Sequence, residues 1–147
     1  MRKLKLYLDN CCFNRPFDDQ SQLRVRLETE AKLFVQQRIK EGKIELVWSA
    51  VLDFEIKQSP YRSRQEAFEV FRQLSQTIVD IDNKVKNSSL VFQARGLALV
   101  DSLHVACAVQ AGCKYFLIVD KRILNKTITE IEVLNPTQFV QLHENDF

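Results

Sequence analysis

Four acidic residues of this chain stand where an acid needs a reason. Asp9 follows the apolar run Leu4–Leu8, and Asp120 follows Tyr115–Val119. A carboxylate is costly next to a buried run unless something compensates it. Glu55 lies in a helical stretch just past a second apolar run, and Asp101 opens another helical stretch. Oxygen donors with no His or Cys among them suit Mg²⁺ or Mn²⁺ rather than zinc. An ion held this way activates a water and stabilises charge developing on a phosphoryl group. Each acid also has an ordinary explanation: Asp101 as a helix N-cap, Asp120 as a cap of the turn at 121–124, Asp9 as a turn residue, Glu55 as a solvated helix position.

The elements around them decide whether the acids can meet. The runs Leu4–Leu8, Ile44–Trp48 and Tyr115–Val119 are short and rich in β-branched or aromatic residues, as buried strands are. Weaker strand candidates lie at Thr77–Ile81 and Ile131–Leu134. Helices are expected between them. Leu23, Leu27, Ala31, Phe34, Val35 and Ile39 recur at helical spacing over roughly 21–41. The stretch 66–74 places Phe68, Phe71 and Leu74 on one face, and 85–97 and 102–111 follow, the last apolar nearly all round and so central. Pro60 ends the short helix after Trp48, and Pro136 opens a terminal helix over 137–143. Gly42, Gly96 and Gly112 each sit just past a helical stretch, where a C-cap is expected. Strand and helix alternate with short connections, which implies one α/β domain over 1–147. Its central parallel sheet has about five strands, flanked by helices on both faces. Parallel strands would bring all four acids to the carboxyl edge, where open α/β sheets place their sites.

Other classes fall away. With three glycines there is no Gly-rich phosphate loop. A net charge of +2 names no nucleic-acid partner by itself. No apolar run approaches the length of a membrane span, and no signal-peptide core forms before Asp9. Cys11, Cys12, Cys107 and Cys113 lack metal-like spacing and read as reduced, partly buried thiols of a cytoplasmic protein.

The segments Tyr7-Leu8-Asp9-Asn10, Ser49-Ala50-Val51-Leu52-Asp53-Phe54-Glu55, Asp101-Ser102-Leu103-His104-Val105-Ala106 and Tyr115-Phe116-Leu117-Ile118-Val119-Asp120 resemble, in order and in spacing, the successive motifs of PIN-domain nucleases. The stretch Asn14-Arg15-Pro16-Phe17-Asp18-Asp19 resembles a subgroup with an insertion after the first strand. The resemblance implies a divalent-metal-dependent endoribonuclease cutting RNA with Mg²⁺ (or Mn²⁺), and Asp9, Glu55, Asp101 and Asp120 as its catalytic and metal-binding residues. It further implies the toxin of a VapC-like toxin–antitoxin pair, with an antitoxin protein as partner and a homodimer as assembly. The chain departs from the pattern at Asn10, where Ser or Thr is frequent. It departs again at Ile118 and Val119, one of which is often Thr, and at Ile123, an acid in some members. These departures keep open a catalytically impaired PIN-like module that binds RNA or protein. A haloacid-dehalogenase-like phosphohydrolase also begins on a strand-end aspartate, but it needs an acid where Cys11 stands.

Secondary candidates surround the quartet. His104, three residues past Asp101, either bonds a carboxylate, contacts substrate phosphate or is a core histidine satisfied by backbone. Asp53 points elsewhere on its helix than Glu55. Arg15, Arg24 and Arg26, then Arg62 and Arg64, then Lys121, Arg122 and Lys126 fall in connections near the acidic edge and could take phosphates. Among them Lys121, Arg122 and Arg15, with His104, are the substrate-binding candidates.

Overall fold

A computed structural model describes residues 3–14, 18–120, 123 and 128–147. Five strands form one sheet: β1 (Leu4–Leu8), β2 (Ile44–Ser49), β3 (Thr77–Val79), β4 (Tyr115–Leu117) and β5 (Glu132–Leu134). Every pairing is parallel, in the order β3-β2-β1-β4-β5, which places β1 at the centre. The chain builds outward from β1 to one side and then returns to the other, so the order reverses between β1 and β4. Such a switch point opens a crevice at the carboxyl ends of the strands.

Seven helices are seen among the described residues: α1 (Asn10–Asn14), α2 (Leu23–Lys40), α3 (Ala50–Lys57), α4 (Arg62–Leu74), α5 (Asn83–Ala94), α6 (Leu99–Gln110) and α7 (Pro136–His143). Side-chain alternation divides them between the faces. Tyr7, paired in register with Val47 and Phe116, faces α6; its ring stacks on Phe116 and meets His104 edge-on. The neighbouring positions point the other way. Trp48 packs on Phe13 of α1, and Tyr115 on Phe139 of α7.

Gly42 and Gly112 show why two expected glycine caps matter. Both take positive φ, 74° and 75°. Lys43 then donates back to Arg38 and Cys113 to Ala108, which closes each helix before β2 and β4 begin.

Helix α2 differs from its expected pattern. Leu23 and Leu27 are exposed, and the buried stripe runs instead through Val25, Glu28, Thr29, Ala31, Lys32, Val35, Gln36 and Ile39. Its two charged members meet partners. Lys32 Nζ sits 5.2 Å from the Phe13 ring centroid and 5.7 Å from that of Phe71. Burial away from water pushes the Lys32 pKa down to about 8. Glu28 accepts from the Asn135 amide and pairs with Arg24 at 3.5 Å. Leu74, expected on the buried face of α4, is also exposed, whereas Phe68 and Phe71 are buried. Among the described residues no helix is long and apolar enough to cross a membrane.

Candidate functional site

β1 delivers Asp9 to the carboxyl edge one residue past its end. The Asp9 backbone carbonyl accepts from Cys12 N–H at 2.9 Å, and its carboxylate accepts from Cys11 N–H at 3.4 Å. Asp9 thus starts α1, a five-residue helix the sequence did not suggest. Its own N–H donates to Leu117 of β4, so the residue is held by α1 and by β4 at the switch point.

Helix α3 begins at Ser49, whose hydroxyl oxygen accepts from Leu52 N–H at 3.2 Å, an N-cap directly at the end of β2. One and a half turns later Glu55 reaches back over the sheet edge. Asp53 points away, as expected, and accepts from Trp48 Nε1 at 2.8 Å and from Arg72 at 2.9 Å. Asp101 lies in the first turn of α6 rather than at its cap, which is Ala98. Capping therefore does not explain Asp101.

Beneath these acids lies His104, fully buried on α6. Its Nε2 hydrogen-bonds Glu55 Oε1 and stands 3.4 Å from Asp9 Oδ1. On the other side its Nδ1 is 2.5 Å from Tyr7 Oη, and Tyr7 Oη is 2.6 Å from Ser49 Oγ. With both nitrogens engaged and no exposed surface, His104 bonds carboxylates and does not present itself to a phosphate. That corrects its place among the substrate-binding candidates. Tyr7 and Ser49 are the members that sequence reasoning missed. The available signal was a phenol inside the run Leu6-Tyr7-Leu8, since a buried hydroxyl needs a partner.

Asp9, Glu55 and His104 each offer one ligand atom within 4.8 Å of the others. Asp101 and Asp120 stand outside that tight group but close enough for their charges to be felt. Burial pushes the Asp101 carboxyl above its ordinary value, helped by the charges of Asp9, Asp120 and Glu55. Burial likewise raises the Asp9 carboxyl; His104 opposes the rise and Glu55 adds to it. Burial alone would lower the His104 pKa, yet its bond to Glu55 and the charges of Asp9, Glu55 and Asp101 outweigh that and raise it.

A pH dependence follows from these directions. Raised groups hold protons in the folded chain that the unfolded chain has released, above 6.5 for His104 and above 3.8 for the two aspartates. They favour folding below those ordinary values, and that contribution is lost as pH rises through the folded ones. Thermal melts in EDTA are expected to show Tm rising as pH is lowered from about 8 to about 5.5. A flat or opposite trend would contradict the raised values of His104, Asp9 and Asp101.

The expected basic contacts are only partly in view. Arg15, Lys121, Arg122 and Lys126 lie outside the described residues. Arg24 is committed elsewhere, donating to the Val119 carbonyl at 2.9 Å beside Asp120 and pairing with Glu28. Arg64 lies over the ring of Tyr61 at 4.3 Å. Of the four cysteines only Cys11 is exposed, and all are free thiols.

No family model matches the chain, and no curated protein resembles it closely enough in sequence to count as a relative. Solved structures do resemble it. A chain of FitAcB from Neisseria gonorrhoeae is 17% identical with a TM-score of 0.58, over 89% of this chain and 97% of that one. A chain of DNA-bound VapBC from Salmonella typhimurium is 16% identical with a TM-score of 0.58, over 90% and 98%. One from Rickettsia felis VapBC2, bound to a DNA fragment from its promoter, is 12% identical with a TM-score of 0.57, over 90% and 98%. Identities this low speak to architecture alone. The match runs nearly end to end on both sides, over an all-parallel sheet centred on the strand that delivers Asp9, and the chain accordingly has the PIN-like fold that its four motifs resemble.

Proposed function

We propose that this protein is a divalent-metal-dependent endoribonuclease that hydrolyses RNA phosphodiester bonds and serves as the toxin of a toxin–antitoxin pair. The observation that carries the reading is the crowding of Asp9 and Glu55, with Asp101 and Asp120 beside them, at the carboxyl edge of the sheet. Two of these carboxyls are raised because each lacks water and faces like charge. A cation of hard character fits such a donor set and relieves both penalties. Asp9 and Glu55 would hold the ion, and Asp101 and Asp120 would bind its waters or extend its ligand set. When bound, such an ion supplies a nucleophilic water and stabilises charge on the phosphoryl oxygens.

The rest falls to the chain's own residues. Asp9 is held by the backbone of α1 and β4, which fixes one carboxylate and with it the place of the ion it would hold. Lys121, Arg122 and Arg15 follow the strand-end motifs and are proposed to take flanking phosphates. An antitoxin protein and a second copy of the chain are the proposed partners. Toxin–antitoxin assembly is supported by the likeness to chains of VapBC complexes.

A second reading has one observation in its favour. Glu55 is already bonded by His104, which would suit a PIN-like module that binds RNA or protein without cutting. A labelled single-stranded RNA incubated with Mg²⁺ or Mn²⁺ separates the two. The nuclease reading expects cleavage that EDTA abolishes. Binding without cleavage under every ion supports the module, and cleavage that persists in EDTA rules out the metal.

A further inference from the structure

Directly beneath the acidic edge, a ring nitrogen faces the carboxylates. His104 Nε2 faces Glu55 and lies 3.4 Å from Asp9 Oδ1, among three ligand atoms that fall within 4.8 Å of one another. We propose that His104 is itself a ligand of the ion held by Asp9 and Glu55, and that its nitrogen makes the site select Mn²⁺ over Mg²⁺. This rests on the metal-dependent reading above and extends it to the identity of the ion.

The surroundings of the ring suit a ligand. Ligating histidines commonly donate their second ring N–H to a fixed partner, which sets the tautomer and aims the other nitrogen. Here Nδ1 meets Tyr7 Oη at 2.5 Å. Tyr7 can accept that proton's hydrogen bond because its own hydroxyl has Ser49 Oγ, at 2.6 Å, to donate to. Ser49 is in turn fixed by the Leu52 N–H at the start of α3. The ring is fully buried and edge-on to Tyr7, with centroids 5.6 Å apart, so it has no room to turn away. Only Nε2 is left to face the carboxylates. The proton that Nε2 shares with Glu55 leaves to solvent as the ion enters, as ligand protons do on metal binding.

The choice of ion follows from donor chemistry. Mg²⁺ favours oxygen and keeps its waters, whereas imidazole nitrogen suits first-row transition ions, of which Mn²⁺ also accepts carboxylates readily. A purely structural His104 would keep Nε2 protonated and leave an all-oxygen site.

Pulsed electron paramagnetic resonance on the unaltered protein loaded with Mn²⁺ alone tests this. Nitrogen modulation from a directly bound ¹⁴N is expected, converting to the ¹⁵N pattern when histidine is isotopically labelled. The chain has two histidines. Repeating the measurement in His143→Gln assigns the signal to His104. Calorimetry with Mn²⁺ alone and Mg²⁺ alone should show Mn²⁺ bound more tightly by on the order of tenfold or more, with the preference reduced in His104→Gln. Bound Mn²⁺ without nitrogen modulation, or equal affinity for the two ions, overturns the inference and leaves the nuclease reading standing. If neither ion binds, both readings are overturned. The spectroscopy needs no change at His104, so misfolding of that variant would not obscure the result.

Discussion

Asp9→Asn is expected to cleave RNA at least about 100-fold more slowly than the parent while melting at a higher temperature. Both effects come from one carboxylate. Asp9 is buried and its carboxyl is raised by that burial and by Glu55, so its charge is a cost to the metal-free fold. Asparagine has nearly the same shape and can still accept from the Cys11 N–H that meets Asp9. It brings no charge to the cluster and is a poor ligand for a hard cation. Relief of like-charge crowding is worth on the order of 0.5–2 kcal/mol at such sites. That corresponds to roughly 1–8 °C in a domain of this size. Initial cleavage rates and thermal melts in EDTA check the two halves separately. Retained activity would remove Asp9 from the chemistry, and a lower Tm would contradict the direction of its shift.

Phe13→Ala is expected to cost roughly 3–5 kcal/mol, the largest stability loss we anticipate from a single substitution outside the sheet. Phe13 is fully buried, with ring centroids 5.2 Å from Trp48, 5.6 Å from Phe68 and 5.9 Å from Phe71. It is also one of the two rings facing the Lys32 ammonium, so its loss removes a favourable contact for a buried cation. Urea unfolding measures the loss, and Tm should fall by roughly 6–20 °C. A change below about 1 kcal/mol would mean that α1 does not seat this ring in the core.

These two residues mark where the sequence was legible and where it was not. β1, β2 and β4 could be read from apolar runs, because a strand covered on both faces has almost no polar positions. Helices α2, α4, α5 and α6 followed from spacing, and their ends from glycines that the positive φ values at Gly42 and Gly112 require. Helix α1 could not be read. Five residues hold too little periodicity, and its one anchoring ring, Phe13, stands beside polar Asn14. The stripe of α2 misled for a different reason. Leucines at helical spacing looked like core, yet Glu28 and Lys32 take the buried positions, because Asn135 and two aromatic rings receive them. Tertiary partners of that kind leave no trace in local spacing.

The site was legible as strand ends and not as contacts. Asp9 and Asp120 announced themselves by following apolar runs. That His104 would sit beneath Glu55 and bond Tyr7 depends on the register of β1 against β2 and on the seating of α6 across the sheet, and neither is encoded nearby.

The central position of β1 has a consequence for the chain as it is being made. β1 precedes both strands that flank it, and its second neighbour, β4, follows only after β2, β3 and the helices α1 to α6 have been made. Tyr7 and His104 are 97 positions apart, and Lys5 and Ala111 are 106 apart. No partial chain ending before β4 can complete the sheet under Asp9 or hold the acidic edge together. Contacts this distant also slow closure, since the entropy of a long loop must be overcome first. The acidic edge is thus incomplete in every nascent fragment that ends before β4.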